Sequence, residues 1–343
     1  MRAEALEAPG RVADLLGRDA DRYAELAATL RRTPPHAVAT LARGSSDHAA
    51  QHLAYLVMAR LGRLVTSLPP SLLTLYGSPL QAPGLLVLAL SQSGRSPDLV
   101  EPLQALRRGG ARTVALVNDT SSPLAAAAAH VLPLHAGPEH SVAATKSFIT
   151  QLVAGARLLA AWGDDAALAS ALPGLPAALE RAATAGAADD GGATERLADV
   201  RQLYVIARGP ALAVAQELAL KFKETCGLQA EAYSGAELAH GPMALVQPGW
   251  PLLVLAPRGP AQAGLVALSQ QQHARGAAVL LAAPPGTPGT EGLALLPAVP
   301  APHEDLGGIT LVQGLYPVLE AIARQRGLDP DHPPGLRKVT LTR

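Results

Sequence analysis

The apolar positions of this chain gather into short unbroken runs, separated by longer stretches in which apolar and polar residues mix. Ala37–Ala42, Leu85–Leu90, Thr113–Val117, Leu203–Ala207, Leu252–Ala256 and Ala278–Ala282 are such runs. Continuous rather than alternating apolar character suits strands covered on both faces. The stretches after them read as helices: from about Asp47, over Asp98–Arg107, from about Ala211, and over Ala261–His273. Strands alternating with helices predict parallel sheets sandwiched between helical layers.

The pattern occurs twice. Ala42-Arg43-Gly44 closes one run, and Ala207-Arg208-Gly209 closes another 165 residues later. Ala50-Gln51 then corresponds to Ala215-Gln216, and Leu53-Ala54 to Leu218-Ala219. The string Leu85-Leu86-Val87-Leu88-Ala89 returns as Leu252-Leu253-Val254-Leu255-Ala256, and Gly110-Ala111 before Val114 returns as Gly276-Ala277 before Val279. Coincidence in an Ala- and Leu-rich chain would not keep the offset nearly constant over three segments. The predicted fold is therefore α/β, with two tandem doubly wound parallel-sheet αβα sandwiches. A helical lead-in occupies 1–33, the first sandwich 34–164, a helical connector 165–197, the second sandwich 198–328, and a proline-broken C-terminal tail 329–343. The connector is Ala-rich, with Pro173, Pro176 and a flexible Gly191-Gly192.

Composition removes several classes of function. Lys+Arg and Asp+Glu both number 28, so no net charge recruits nucleic acid or an anionic membrane. With 49% hydrophobic but only 3% aromatic residues, the core must be built of Ala, Leu and Val. Cys226 is the single cysteine, which excludes a disulfide framework and a cysteine-rich zinc site and fits a reducing cytoplasm. The charged N-terminus, interrupted by Pro9 and Gly10, is not a signal peptide, and the apolar runs fall far short of the roughly 20 residues of a membrane helix. Neither cofactor nor metal is expected.

Candidate chemistry sits where strands end. Leu85–Leu90 leads into Ser91-Gln92-Ser93-Gly94-Arg95-Ser96-Pro97-Asp98. Ser96 suits a helix N-cap and Pro97 the first helical position. Three serine hydroxyls, a permissive glycine and the free N–H groups of a helix start would also cradle a phosphate. A second serine loop, Gly44-Ser45-Ser46, follows another strand of the same copy and should share its rim, which favours the cradle over a plain capping turn. The second copy carries Pro257-Arg258-Gly259-Pro260 instead, so one phosphate site per chain is expected. Glu217, Lys221 and Glu224 lie at i, i+4 and i+7 and share a helical face, the spacing of a surface ion pair as well as of a proton-transfer group. His240, before Gly241-Pro242, sits on a turn and suits acid–base work near neutrality. Lys146 reads equally as a surface lysine near a helix start or as a functional one, and Cys226 as packing.

These motifs carry a family resemblance. Ser91-Gln92-Ser93-Gly94 after a buried strand resembles the phosphate loop of sugar isomerase (SIS) domains. Lys221-Phe222-Lys223-Glu224, Ala230-Glu231-Ala232-Tyr233 and Glu237-Leu238-Ala239-His240-Gly241-Pro242 resemble the KxKE…AEAY…ELxHGP pattern in the isomerase half of glucosamine-6-phosphate synthase and related amino-sugar-phosphate deaminases. Asp331-His332-Pro333 and Leu336-Arg337-Lys338-Val339-Thr340 resemble that family's C-terminal segment with its active-site lysine, so the similarity runs from about Ala37 to Thr340.

The resemblance implies roles. Ser46, Ser91, Gln92, Ser93 and Ser96 would bind the phosphate, and Val142 would contact the sugar. Glu224 would move a proton between C1 and C2, with Lys221 assisting, and Lys338 would stand beside the carbonyl carbon. His240 would open the ring, in its own chain or in a neighbouring one. Three positions depart from the pattern: Arg95 replaces an acid, Ala144 a serine, and Pro334 a tail arginine. No glutaminase segment precedes Ala37. The implied activity is a deaminase/isomerase converting glucosamine 6-phosphate to fructose 6-phosphate and ammonia. The alternatives are amination in the reverse direction, with ammonia or a separate glutaminase, and a non-catalytic phosphosugar sensor. A homodimer is the expected assembly. In this reading the first copy binds and the second reacts.

Overall fold

A computed structural model describes residues 1–189 and 192–338. Gly191 of the connector and Val339, Thr340 and Arg343 of the tail lie outside the described residues. Ten strands form two sheets. The first contains β1 (Ala37–Leu41), β2 (Val65–Ser67), β3 (Leu85–Ser91), β4 (Arg112–Val117) and β5 (His130–Pro133). The second contains β6 (Gln202–Ala207), β7 (Gln229–Ser234), β8 (Pro251–Leu255), β9 (Ala278–Ala283) and β10 (Ala294–Pro297). The orders are β2-β1-β3-β4-β5 and β7-β6-β8-β9-β10, with every pairing parallel. The sequence repeat is thus a repeat of topology, and the fold is the doubly wound α/β class expected.

The six apolar runs are β1, β3, β4, β6, β8 and β9, each within one or two residues of its predicted span. The four remaining strands, all of them sheet edges, escaped the reading. An edge strand is covered less completely and need not be apolar throughout. β2 is a three-residue strand with exposed Thr66 and Ser67, and β7 carries Glu231 and Tyr233.

The chain forms two compact units. One comprises Gly10–Glu139, Lys146–Pro173 and the tail from Arg337, and holds the first sheet. Its core sets Leu41, Val87 and Ala89 against Leu99, Leu103 and Leu106 of the helix Pro97–Arg108. On the other face, the helix Ser45–Leu61 packs on the long helix Lys146–Gly163, Leu53 meeting Gly155. The second unit comprises Met1–Pro9, His140–Thr145 and Gly174–Leu336, and holds the second sheet. There Ile206, Val254 and Leu281 pack with Leu265 and Val266 of the helix Gln262–Ala274. The helices Leu175–Ala188 and Gly307–Gln325 cross at Gly186 and Gly314, where a Cβ on Gly186 would overlap the Gly314 carbonyl oxygen. The segment Glu304–Gln325 is long and apolar enough to cross a membrane (mean hydropathy 1.4), yet 89% of its most apolar 18-residue stretch is buried. It is a core helix.

Candidate functional site

β1 and β3 are neighbours, Leu41 opposite Ala89, so the loops that follow them leave the sheet side by side at the point where strand order reverses. Ser45 and Ser46 open the helix Ser45–Leu61, Ser91 ends β3, and Gln92–Ser96 lead into the helix Pro97–Arg108. The five predicted phosphate ligands therefore share one rim. Hydrogen bonds from the surrounding chain reach three of the serine oxygens. Gly94 N–H donates to Ser91 Oγ at 3.0 Å, and Arg95 N–H donates to Ser93 Oγ at 3.3 Å. The Gln151 amide donates to Ser46 Oγ at 2.9 Å. Each of these oxygens accepts one bond and keeps its own O–H to donate. Three such donors suit an acceptor-only ligand such as a phosphate dianion. Ser96 stands at the N-cap position with extended backbone, but its side chain makes no capping bond. Ser96 thus holds the predicted N-cap position, its carbonyl accepting from Leu99 and Val100 N–H, and Pro97 supplies the first helical position.

Gly94 explains the loop's shape. It has φ of +62°, and a Cβ there would overlap the Ser122 hydroxyl and approach Val117 Cγ2 to 2.9 Å. Its carbonyl accepts from Leu124 N–H at 3.0 Å. The cradle is thus moulded onto the start of the short helix Pro123–Ala127. Gly94→Ala should weaken phosphosugar binding more than tenfold by calorimetry and cost about 1–3 kcal/mol in urea unfolding. Wild-type affinity in that variant would show that the loop is not the binding element.

Two arginines flank the cradle. Arg43 Nε lies 2.9 Å from Asp98 Oδ2, a buried carboxylate in the first turn of the helix Pro97–Arg108. Arg95, the departure from the family pattern, places its guanidinium 2.9 Å from Asp119. The Ser121 hydroxyl and then Arg95 hold the Asp119 carboxyl below its ordinary value. Arg95 therefore tethers the cradle to the loop after β4.

In the second unit, the helix Ala211–Cys226 carries the predicted face. The pair is no surface ion pair. Lys221 is 1% exposed and its Nζ lies 3.5 Å from the fully buried Glu217. On its other side Lys221 hydrogen-bonds Glu224, whose side chain is 21% exposed. A buried Glu–Lys pair thus ends in one carboxylate that reaches solvent. Cys226 ends the same helix, buried against the Leu319 carbonyl, and burial pushes its thiol up to about 11, so it is packing as expected. The Tyr233 hydroxyl donates to Glu231 on β7 and its ring meets Tyr204 edge-on, with centroids 5.0 Å apart. His240 ends the 3-10 turn Glu237–His240 and is exposed. Among the described residues it bonds to neither Lys221 nor Glu224.

The remaining candidates fall in different places. Val142, half-buried, belongs to the second unit, where its N–H donates to the Asp331 carbonyl at 3.2 Å. Lys338 belongs to the first unit, its Nζ 3.0 Å from Glu139. Lys146 is 1% exposed, correcting its reading as a surface lysine: it opens a helix buried along nearly its whole length. Sequence reasoning missed Gln151 and Glu139. The available signal was a polar residue inside a strongly apolar helix, and an acid just ahead of a helix start.

Comparison with known proteins fixes the family. The SIS domain family matches residues 33–161 and 196–283. The chain belongs to the SIS family. A relative from Thermus thermophilus, glutamine–fructose-6-phosphate aminotransferase (isomerizing), is 33% identical over 98% of this chain and 58% of its own length. The chain spans about half the length of the curated relatives it matches. A solved candidate phosphosugar isomerase from Silicibacter pomeroyi is 42% identical, with TM-score 0.89 over 96% of this chain and 99% of that one. Glucosamine-6-phosphate deaminase from Thermotoga maritima shares the fold, at 20% identity and TM-score 0.74 over 99% of this chain and 100% of that one.

Proposed function

We propose that this SIS protein aminates and isomerises fructose 6-phosphate to glucosamine 6-phosphate. The serine cradle takes the phosphate, and Glu224 carries the proton between C1 and C2. The observation that carries the reading is the buried Glu217–Lys221 pair ending in the solvent-reaching Glu224. A carboxylate can lift a proton from one carbon and return it to the next through an enolamine. Lys221, held from behind by Glu217, orients that carboxylate from a fixed helix rather than from a loop. Ser46, Ser91, Gln92, Ser93 and Ser96 serve as phosphate ligands, Val142 as a sugar contact and Lys338 as the amine beside the carbonyl carbon. His240, exposed within its own chain, is suited to ring opening in a neighbouring copy of a homodimer.

The curated relatives, named aminotransferases, support the amination direction. Deamination, placed first by the sequence reading, is retained as a second reading because a deaminase shares this fold over its whole length. The test supplies the purified protein with fructose 6-phosphate and an ammonium salt, and separately with glucosamine 6-phosphate. Glucosamine 6-phosphate formed in the first supports the proposal. Ammonia released only in the second makes deamination the physiological direction. Tight phosphosugar binding without turnover in either overturns both and makes the protein a sensor.

A further inference from the structure

We propose that Glu139 is the positioning residue for Lys338, a buried carboxylate seat that holds the tail amine in place. The seat stands on its own geometry, and its consequence for turnover rests on the role given to Lys338 above. Glu139 is 6% exposed, and its carboxylate is fully buried. Both oxygens are engaged: Oε1 accepts from Ser147 N–H at 3.1 Å, and Oε2 accepts from Ser147 Oγ at 2.6 Å and from Lys338 Nζ at 3.0 Å.

Ser147 is the second residue of the helix Lys146–Gly163. Its N–H is one of the first-turn donors with no partner inside the helix, and the positive end of the helix dipole favours an anion there. Glu139 is thus fixed to a rigid eighteen-residue helix from one side and presents its charge to the tail from the other. Lys338 needs such an anchor. It lies in a stretch without regular secondary structure after Pro333 and Pro334. A lysine on such a segment would otherwise spread over many rotamers and backbone positions. The charge-assisted bond to a buried carboxylate selects one. Glu139 therefore acts on the reaction through Lys338 and not by touching the substrate.

The test is a double-mutant cycle on the full chain: wild type, Glu139→Gln, Lys338→Met and the double variant, with Ser147→Ala as a second route to the seat. Glu139→Gln should lower kcat about 10–100-fold while KM for the phosphosugar stays within about threefold. In the Lys338→Met background it should have no further effect, a non-additivity that a purely structural role would not give. Equal losses in both backgrounds, or a wild-type kcat for Glu139→Gln where Lys338→Met is impaired, overturn the proposal. A second readout needs no turnover: acetylation of Lys338, followed by mass spectrometry and referenced to the exposed Lys223. It should run at least about fivefold faster in Glu139→Gln, and an unchanged rate overturns the seat. Normal turnover by Lys338→Met together with faster labelling in Glu139→Gln would sink the catalytic role of Lys338 and leave the seat standing. Should Glu139→Gln fail to fold, Ser147→Ala reports the same two quantities, with smaller changes in the same direction.

Discussion

Glu224→Gln should bind phosphosugar with a Kd within about threefold of wild type and lose turnover by about 10²–10⁴-fold, the range that a positioned acid–base group contributes. The substitution keeps the shape of the side chain and one acceptor for the Lys221 ammonium, and removes only the ability to take a proton. Because Glu224 is the one member of the Glu217–Lys221–Glu224 face whose side chain is not fully buried, the fold should tolerate the change. NMR in D₂O gives a stricter readout than product formation. Wild type should exchange the transferred hydrogen at C1 or C2 with solvent, and Glu224→Gln should not. Exchange at the wild-type rate would remove Glu224 from the proton path, whatever else the variant did.

Lys221→Met should be the most destabilising single change on that helix. It removes the cation between a fully buried Glu217 and the hydrogen-bonded Glu224. Breaking a buried ion pair from one side costs about 3–5 kcal/mol, since the remaining charge stays in a poor solvent. Urea unfolding should register that loss as a lower midpoint at unchanged slope. The double variant Glu217→Gln/Lys221→Met, which removes both buried charges of the pair, should recover much of the stability and none of the turnover. If Lys221→Met unfolds at the wild-type midpoint, the pair is not holding the helix, and the argument that buried charge orients Glu224 fails with it. Stability and activity part company here because burial of the pair is a cost that the fold carries for the sake of one carboxylate.

How much of this was legible beforehand follows from how local each cause is. A strand in the middle of a parallel sheet has helices on both faces and must be apolar residue after residue. β1, β3, β4, β6, β8 and β9 could therefore be read directly, and their repetition gave the tandem fold. The edge strands β2 and β7 lack that requirement and carry polar residues, while β5 and β10, at four residues each, are too short to stand out. The serine loops were legible because Gly94 and the Ser96-Pro97 helix start are local devices, each set by a few neighbouring residues. The i, i+4, i+7 spacing of Glu217, Lys221 and Glu224 placed them on one face, since helix geometry alone decides that.

Spacing could not say whether that face met water or the core. Only the packed unit buried Lys221 and Glu217 and left Glu224 at the surface. The partners of the cradle hydroxyls were equally hidden. Ser46 is oriented by Gln151, 105 residues away, and Lys338 meets a carboxylate 199 residues before it. Lys146 looked like an ordinary solvated lysine until its helix proved buried along nearly its whole length. The sequence by itself determined the periodic parts of this protein: which strands lie inside, where each loop turns, and which residue types gather at strand ends. The tertiary structure alone decided which of those polar groups are desolvated and which distant partner each one faces. Burial and long-range hydrogen bonding depend on what the rest of the chain brings to a residue, and no local pattern encodes that.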